Sequence, residues 1–159
     1  MSLNLPLAQI TVTNDVTNKL MVGKVEVCNL PDLNINNLTV RIDTGAKTSS
    51  LHVDNIVEFK KLDKRWVSFD IHPDVHNVKT IVRREARVKA LRKIKSSNGT
   101  TERRYVIRTL LEMGGHQWKV QLTLTDRSSM TYLMLLGREA MAGRITVDPE
   151  YEYLLGKGS

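Results

Sequence analysis

The chain has a single cysteine, Cys28, among its 159 residues. One thiol cannot form an intrachain disulfide, and it excludes zinc sites that are built from several cysteines. No apolar run approaches the roughly 20 residues that a membrane-spanning helix needs. The N-terminus also lacks the charged and then apolar stretch of a secretory signal. We therefore expect a cytoplasmic protein with no membrane association.

Several catalytic and nucleotide-binding motifs are missing as well. The sequence contains no Gly-x-x-x-x-Gly-Lys-Ser/Thr phosphate loop, no His-Glu-x-x-His and no Gly-x-Ser-x-Gly. These absences argue against an ATP-binding protein, a helical zinc protease and a serine hydrolase. Aromatic residues make up only 5% of the chain, but apolar residues make up 41% and charged residues 26%. This balance and the length predict one globular domain over residues 1–159.

Apolar residues recur with a period of two, which is typical of β-strands. The predicted strands lie at 25–27, 38–42, 66–71, 86–90, 105–111 and 118–124. Glycine-bearing turns at 96–99 and 113–116 predict two hairpins. Good helix formers occur only at 138–141, and a tail at 151–155 is long enough to return as a strand. The pattern predicts a mainly β domain, a barrel or a sandwich, with one short C-terminal helix.

The most informative segment follows the predicted strand at 38–42, and it consists of Asp43, Thr44, Gly45 and Ala46. A second informative segment, two apolar residues followed by glycine, lies near the C-terminus and consists of Leu135, Leu136, Gly137 and Arg138. Aspartic proteolysis needs two carboxylates about 3 Å apart that share one proton. The chain has only one Asp-Thr-Gly. Either two chains each donate one Asp43, or Asp43 is a turn aspartate that bonds its own loop.

Further segments in the same order extend this pattern, and they lie at 41–52, 95–99, 122–127, 134–141 and 147–149. Together they resemble the bacterial family of retropepsin-like aspartic proteases, formerly labelled ATP-dependent zinc proteases, which includes the RimB proteins. The resemblance covers about residues 22–155. It implies a closed β-barrel of acid-protease topology and a homodimeric peptidase without a cofactor. It also implies that Asp43 is catalytic, Thr44, Gly45 and Ala46 form the active-site loop, and Leu135, Leu136, Gly137 and Arg138 close it.

One position departs from the pattern of the viral retropepsins, which these proteins also resemble. Lys47 stands where the viral retropepsins carry an aspartate that pairs with the arginine of the closing Gly-Arg. Lys47 and Arg138 would repel each other, because both are cationic. Glu139 follows Arg138 directly and offers the missing anion. We therefore hypothesise a charge-exchanged contact between Lys47 and Glu139.

The net charge of +7 is concentrated in residues 79–104, where ten basic and two acidic residues give +8. Such a segment is either a solvated strand face or a surface that attracts an acidic partner. RimB proteins are associated with the removal of glutamate tails from a ribosomal protein, so the resemblance implies an acidic peptide or protein tail as the partner. The substrate-binding candidates are Asn98, Gly99, Arg103 and Arg104, on a hairpin that we expect to be the flap over the cleft. The loop at 72–77 is the rival flap.

Two other functions remain open. The basic segment, with Tyr105 nearby for stacking, could grip the phosphates of RNA as a binding module that needs no Asp43. A zinc-dependent hydrolase would use imidazole and carboxylate ligands, and the candidates are His52, His72, Asp74, His76 and His116. We expect no bound metal, because these histidines fit solvated loops better than a ligand motif.

Overall fold

The computed structural model describes residues 18–73, 80–95, 98–126 and 131–157, and the statements below concern these residues. They form ten strands, a 3₁₀ turn (Pro31–Leu33) and one short helix, α1 (Arg138–Met141). This helix is not long and apolar enough to cross a bilayer. The expected mainly β fold with one short C-terminal helix is confirmed. The strands are β1 (Leu20–Val22), β2 (Val25–Leu30), β3 (Ile35–Ile42), β4 (Ser49–Lys61), β5 (Lys64–Ile71), β6 (Val82–Lys95), β7 (Thr101–Met113), β8 (His116–Asp126), β9 (Met134–Leu136) and β10 (Ile145–Val147).

The strand pairings run back on themselves. Strand β9 lies between β3, to which it is parallel, and β4, to which it is antiparallel. Strands β4 to β8 then pair in chain order, and β8 returns to β4 as a parallel neighbour. Strand β7 also meets β2, where Asn29 lies opposite Glu112. The short strands β1 and β10 form a separate parallel pair.

Both predicted hairpins are present. Met113 pairs with His116 across a two-residue turn, in which Gly114 and Gly115 have φ of +58° and +82°. Glycine adopts such left-handed conformations without the steric cost that a Cβ would bring. The β6–β7 register continues to Lys95, which lies opposite Thr101. Ser96 and Ser97 at its tip lie outside the described residues, so the role of this hairpin as the flap stays a prediction.

One buried face of β3 leads directly to the Asp-Thr-Gly segment. Leu38, Val40 and Ile42 are at most 6% exposed, whereas Arg41 between them is exposed. This alternation anchors the end of β3 in the core, because side chains two apart in a strand share a face. The position of Asp43, the next residue, is therefore fixed by packing.

Strand β4 is the longest element that the apolar pattern did not indicate. Its first half buries Ser49, Leu51 and Val53, but its second half is largely exposed after an irregularity between Asp54 and Val57. A register shift breaks the period on which strand prediction depends. Only a weak apolar signal remains in the sequence.

The C-terminal tail differs from the expectation of a returning strand. Residues 148–157 form turns and irregular structure, and Tyr153 and Gly156 have φ of +55° and +94°. The tail is held by Glu26, a buried carboxylate of β2. Glu26 Oε2 accepts from the amides of Gly23 at 2.7 Å and Leu154 at 2.9 Å, and Oε1 accepts from Leu155 at 3.1 Å.

Candidate active site

Asp43 lies at the end of β3 and is fixed by its own backbone. Its amide donates to Leu136 O at 2.9 Å, which extends the parallel pairing of β3 with β9 by one residue. Its Oδ1 accepts from the amide of Gly45 at 2.9 Å, and its carbonyl accepts from Ala46 at 3.2 Å. The carboxylate is partly exposed. A carboxyl group in this position has a defined direction and access to solvent.

The closing segment binds the carbonyl groups of this loop. The amide of Arg138 donates to Ala46 O at 2.8 Å, and its Nη1 donates to Thr44 O at 3.0 Å. The next amide, that of Glu139, donates to Lys47 O at 3.1 Å. The structure therefore brings together the two segments that the sequence analysis paired. Thr44 and Gly45 remain exposed, so a second molecule can reach them.

Gly137 has no room for a side chain. A Cβ there would lie 2.4 Å from Thr48 O and 2.6 Å from Thr48 C, which are backbone atoms. The amide of Gly137 also donates to the buried Ser49 Oγ at 2.9 Å. The glycine of the closing segment is thus a packing requirement for the Asp43 loop.

Gly137→Ala is expected to lower the free energy of unfolding by about 1–3 kcal/mol, because overpacking forces the backbone to move. Urea unfolding measures this change. Gly45→Ala is the matched control, since the only neighbour of its Cβ within 4 Å would be Asp43 Oδ1 at 3.2 Å. Equal stability of Gly137→Ala and the wild type would contradict the packing argument.

The contact between Lys47 and Glu139 is confirmed, with Nζ 3.9 Å from Oε1. Both side chains are more than half exposed, at 75% and 52%. Exposed pairs of this kind contribute at most about 1 kcal/mol. Arg138 turns instead to the carbonyl of Thr44, so the two cations do not compete for one anion.

A cavity of about 220 Å³ opens where the Asp43 loop ends. Its walls include Thr48, Ser49, Glu139, Arg92, Arg108 and Lys119. The candidates Asn98, Gly99, Arg103 and Arg104 do not line it. Arg103 is exposed opposite Lys93, and Arg104 lies opposite Arg92 and contacts Glu102 at 3.3 Å. Sequence reasoning missed this cavity because its walls come from segments far apart in the chain.

A family model described as RimB-like, the retropepsin-like aspartic endopeptidase RimB, matches residues 21–157. The chain belongs to this RimB-like family.

Curated relatives of this RimB-like chain carry another name. Proteins named probable alpha-L-glutamate ligase from Shewanella halifaxensis, Parasynechococcus marenigrum and Desulfotalea psychrophila are 49%, 48% and 42% identical to it. The matches cover 88%, 89% and 93% of this chain but 31%, 30% and 32% of the relatives. The chain thus spans about a third of their length. The name of the whole relative describes more than the matching part.

A solved structure supports the fold of the RimB-like chain. A Legionella pneumophila protein of unknown function superposes with a TM-score of 0.71 at 28% identity. The match covers 85% of this chain and 97% of that protein.

The three histidines of this RimB-like chain that the structure describes, His52, His72 and His116, do not form a common site. His72 is buried and lies 3.1 Å from Asp54 Oδ2, whereas His52 Nδ1 lies 3.1 Å from Thr125 Oγ1. His116 is exposed at the start of β8. In the part of the chain that the structure describes, no group of three His, Cys, Asp or Glu side chains could hold a metal ion. Asp74 and His76 lie outside that part.

A second ionic cluster of the RimB-like chain is structural. Asp70 Oδ2 accepts from Asn55 Nδ2 at 2.8 Å, and Oδ1 accepts from Arg83 Nη1 at 2.7 Å. The hydrogen bond from Asn55, and next the one from Arg83, lower the pKa of Asp70. Arg83 also donates to Ser68 Oγ at 2.8 Å, so it ties β6 to β5. The residues of this cluster come from three strands and form no contiguous motif, so the sequence did not predict it.

Cys28 of the RimB-like chain is a core residue. It is 2% exposed, and burial raises the pKa of its thiol to about 12. Its Sγ lies 3.7 Å from Met134 Sδ, inside the apolar core. Because the thiolate is the reactive form, Cys28 is not a nucleophile here.

Proposed function

We propose that this RimB-like chain is an aspartic peptidase that works as a homodimer, in which each subunit supplies one Asp43. The observation that carries the proposal is the clamped loop. Asp43 is held by Leu136 on one side, and the carbonyls that follow it are held by Arg138. Family membership supports the same chemistry.

The proposed fold is a closed β-barrel of acid-protease topology. The pairings of β2, β3, β9, β4, β8 and β7 support it, because they form a ring that returns to β2. Closure removes exposed strand edges. The active loop would then lie at one end of the ring and face the partner subunit.

The proposed mechanism uses two carboxyl groups that share one proton. The ionised Asp43 takes a proton from water as the resulting hydroxide adds to the peptide carbonyl carbon. The partner subunit's Asp43 donates its proton to the carbonyl oxygen. Collapse of the tetrahedral intermediate breaks the C–N bond, and a proton passes to the leaving amine. Two carboxyl groups so close together cannot both ionise, because their negative charges would repel. One of them therefore stays protonated.

The proposed substrate is an acidic peptide or protein tail, such as a glutamate-rich tail on a ribosomal protein. The excess of +8 in residues 79–104 supports this class, because a basic surface raises the local concentration of anions. The relatives named glutamate ligases support it independently. A domain that matches part of such proteins is suited to act on the glutamate chains of the same system.

A basic binding module for RNA is the second candidate. Two like-charged pairs favour it, since Arg92 lies opposite Arg104 and Lys93 lies opposite Arg103 in the β6–β7 register. Directly opposed like charges destabilise a sheet, so they indicate a role in binding. This module would work without Asp43.

A cleavage assay tests the peptidase directly. The wild type is incubated with a peptide that ends in six glutamates and with a matched peptide that ends in six glutamines, and products are identified by mass spectrometry. We expect cleavage of the glutamate peptide, insensitive to EDTA, with a rate that rises as the square of protein concentration while the dimer is dissociated. Cleavage that EDTA stops would replace the aspartic mechanism by a zinc-dependent one. No cleavage at any concentration would favour the binding module.

A further inference from the structure

We propose that the cavity beside the Asp43 loop is a carboxylate-binding subsite, in which Arg92 and Arg108 bind the acidic side chain of a peptide. The inference rests on the proposed peptidase, because it assigns the residues that would select its acidic substrate. It moves that selection from the hairpin tip, where Asn98 and Gly99 lie, to the cavity wall.

Arg92 and Arg108 are the cationic residues of the cavity wall whose charges are not paired. Lys119 Nζ lies 2.8 Å from Asp32 Oδ2, and this hydrogen bond lowers the pKa of Asp32. Glu139 is paired with Lys47. Among the described residues, the side chains of Arg92 and Arg108 have no hydrogen-bond or ion-pair partner. The cavity therefore presents two uncompensated guanidinium groups.

Strand register gathers three arginines on one face. Residues two apart in a strand share a face, so Arg104, Val106 and Arg108 of β7 point the same way. Arg92 lies directly opposite Arg104. Arg104 itself does not line the cavity, and its Nη2 lies 3.3 Å from Glu102 Oε2.

This arrangement opposes stability. Like charges directly opposite each other repel, and Glu102 pairs with Arg104 but not with Arg92. An anion in the cavity relieves the repulsion. The cluster is thus better explained by binding than by folding.

The size and chemistry of the cavity favour a single carboxylate. Sites for whole small molecules measure roughly 300–1,000 Å³, whereas this cavity measures about 220 Å³. Guanidinium groups bind carboxylates through a planar fork of two N–H donors. A glutamate or aspartate side chain meets both conditions.

The cavity lies within reach of a peptide that crosses Asp43. Thr48 in its wall is five residues beyond Asp43, and five extended residues span at most about 18 Å. The clamped turn at 43–46 shortens this distance. The acidic side chain that enters the cavity therefore belongs to a residue within about five positions of the scissile bond.

Binding is measured by calorimetry at 0.15 M salt on Asp43→Asn protein, which binds without cleaving. The probe is hexaglutamate with acetylated and amidated ends, so that only side-chain carboxylates are present. Hexaglutamine with a free C-terminus tests whether the cavity binds a terminal carboxylate instead of a side-chain carboxylate. We expect Arg92→Gln and Arg108→Gln each to weaken hexaglutamate binding about tenfold. Lys64→Gln, the same charge change on the β4–β5 hairpin, should weaken it less than about twofold.

Three results would overturn the subsite: equal weakening by Lys64→Gln, tighter binding of hexaglutamine than of hexaglutamate, or arginine-dependent binding of a single-stranded RNA without binding of the peptide. Failure of the peptidase is a separate result. If the wild type does not cleave but the two arginine substitutions still weaken hexaglutamate binding, the subsite is supported and the peptidase proposal is wrong. Cleavage that does not depend on Arg92 or Arg108 would remove the subsite and leave the peptidase.

Discussion

Asp43→Asn is expected to abolish peptide hydrolysis and leave the fold intact. An amide cannot accept the proton of the attacking water, and general acid–base catalysis contributes about 10²–10⁴-fold. The fold should survive, because Asn keeps an oxygen that can accept from the Gly45 amide as Asp43 Oδ1 does. The amide of Asp43 and its bond to Leu136 are untouched.

Cleavage of the glutamate-tailed peptide and thermal unfolding measure the two parts of this prediction. Asp148→Asn is a matched control, since Asp148 Oδ1 also accepts from the amide two residues on, that of Glu150, at 3.1 Å. This variant should cleave as the wild type does. Full activity of Asp43→Asn protein purified from a host without the wild-type enzyme would eliminate the aspartic mechanism.

The sequence predicted the elements whose burial alternates without interruption. Strands β3 and β7 bury every second residue over much of their length, so the period of two is visible in their sequences. Strand β4 was missed because its apolar signal ends at the shift between Asp54 and Val57. The three-residue strands β1 and β10 are too short to show a period.

The Asp43 loop was predictable because its chemistry lies in contiguous residues. Asp43 and Gly45 contact each other within one turn, and the closing segment is a second short motif. The cavity was not predictable from motifs, because strand register decides which cations share a face. A shift between Val88 and Ala90 reverses the alternation in β6. A change of one residue moves every later side chain to the other face, so sequence alone could not place Arg92 and Arg108 in the wall of one cavity.

Glu26 was also missed, since a lone glutamate between Val25 and Val27 resembles an outward strand residue. The structure buries it completely, at 0% exposure. Its carboxylate replaces water for three backbone amides, two of them in the tail. Buried amide groups without a partner are rare in proteins. Glu26 thus fixes the amides of Leu154 and Leu155, while backbone bonds from Lys24 N to Tyr151 O and from Tyr153 N to Val25 O, both 2.8 Å, hold the preceding residues of the tail.

Glu26→Ala is expected to lower the free energy of unfolding by about 2–4 kcal/mol, because it leaves the buried amide of Gly23 and the part-buried amides of Leu154 and Leu155 without their acceptor, at about 1–3 kcal/mol for a fully buried amide. Glu26→Gln should lose less, since one amide oxygen remains as an acceptor while its NH₂ group faces another donor. Both variants should speed hydrogen exchange at the amides of Leu154 and Leu155, which denaturant unfolding and mass-spectrometric exchange can measure together.

Glu152→Gln is the matched control for the same tail. Glu152 is half exposed and contacts Lys24 at 3.6 Å, a surface pair whose loss should cost less than about 1 kcal/mol. Its tail amides should exchange as in the wild type. If Glu26→Ala instead unfolds at the wild-type denaturant concentration and keeps its tail protected, the two hydrogen bonds from the tail to Glu26 do not hold it. The backbone bonds of Tyr151 and Tyr153 and the packing of Leu155 against the core must then do so.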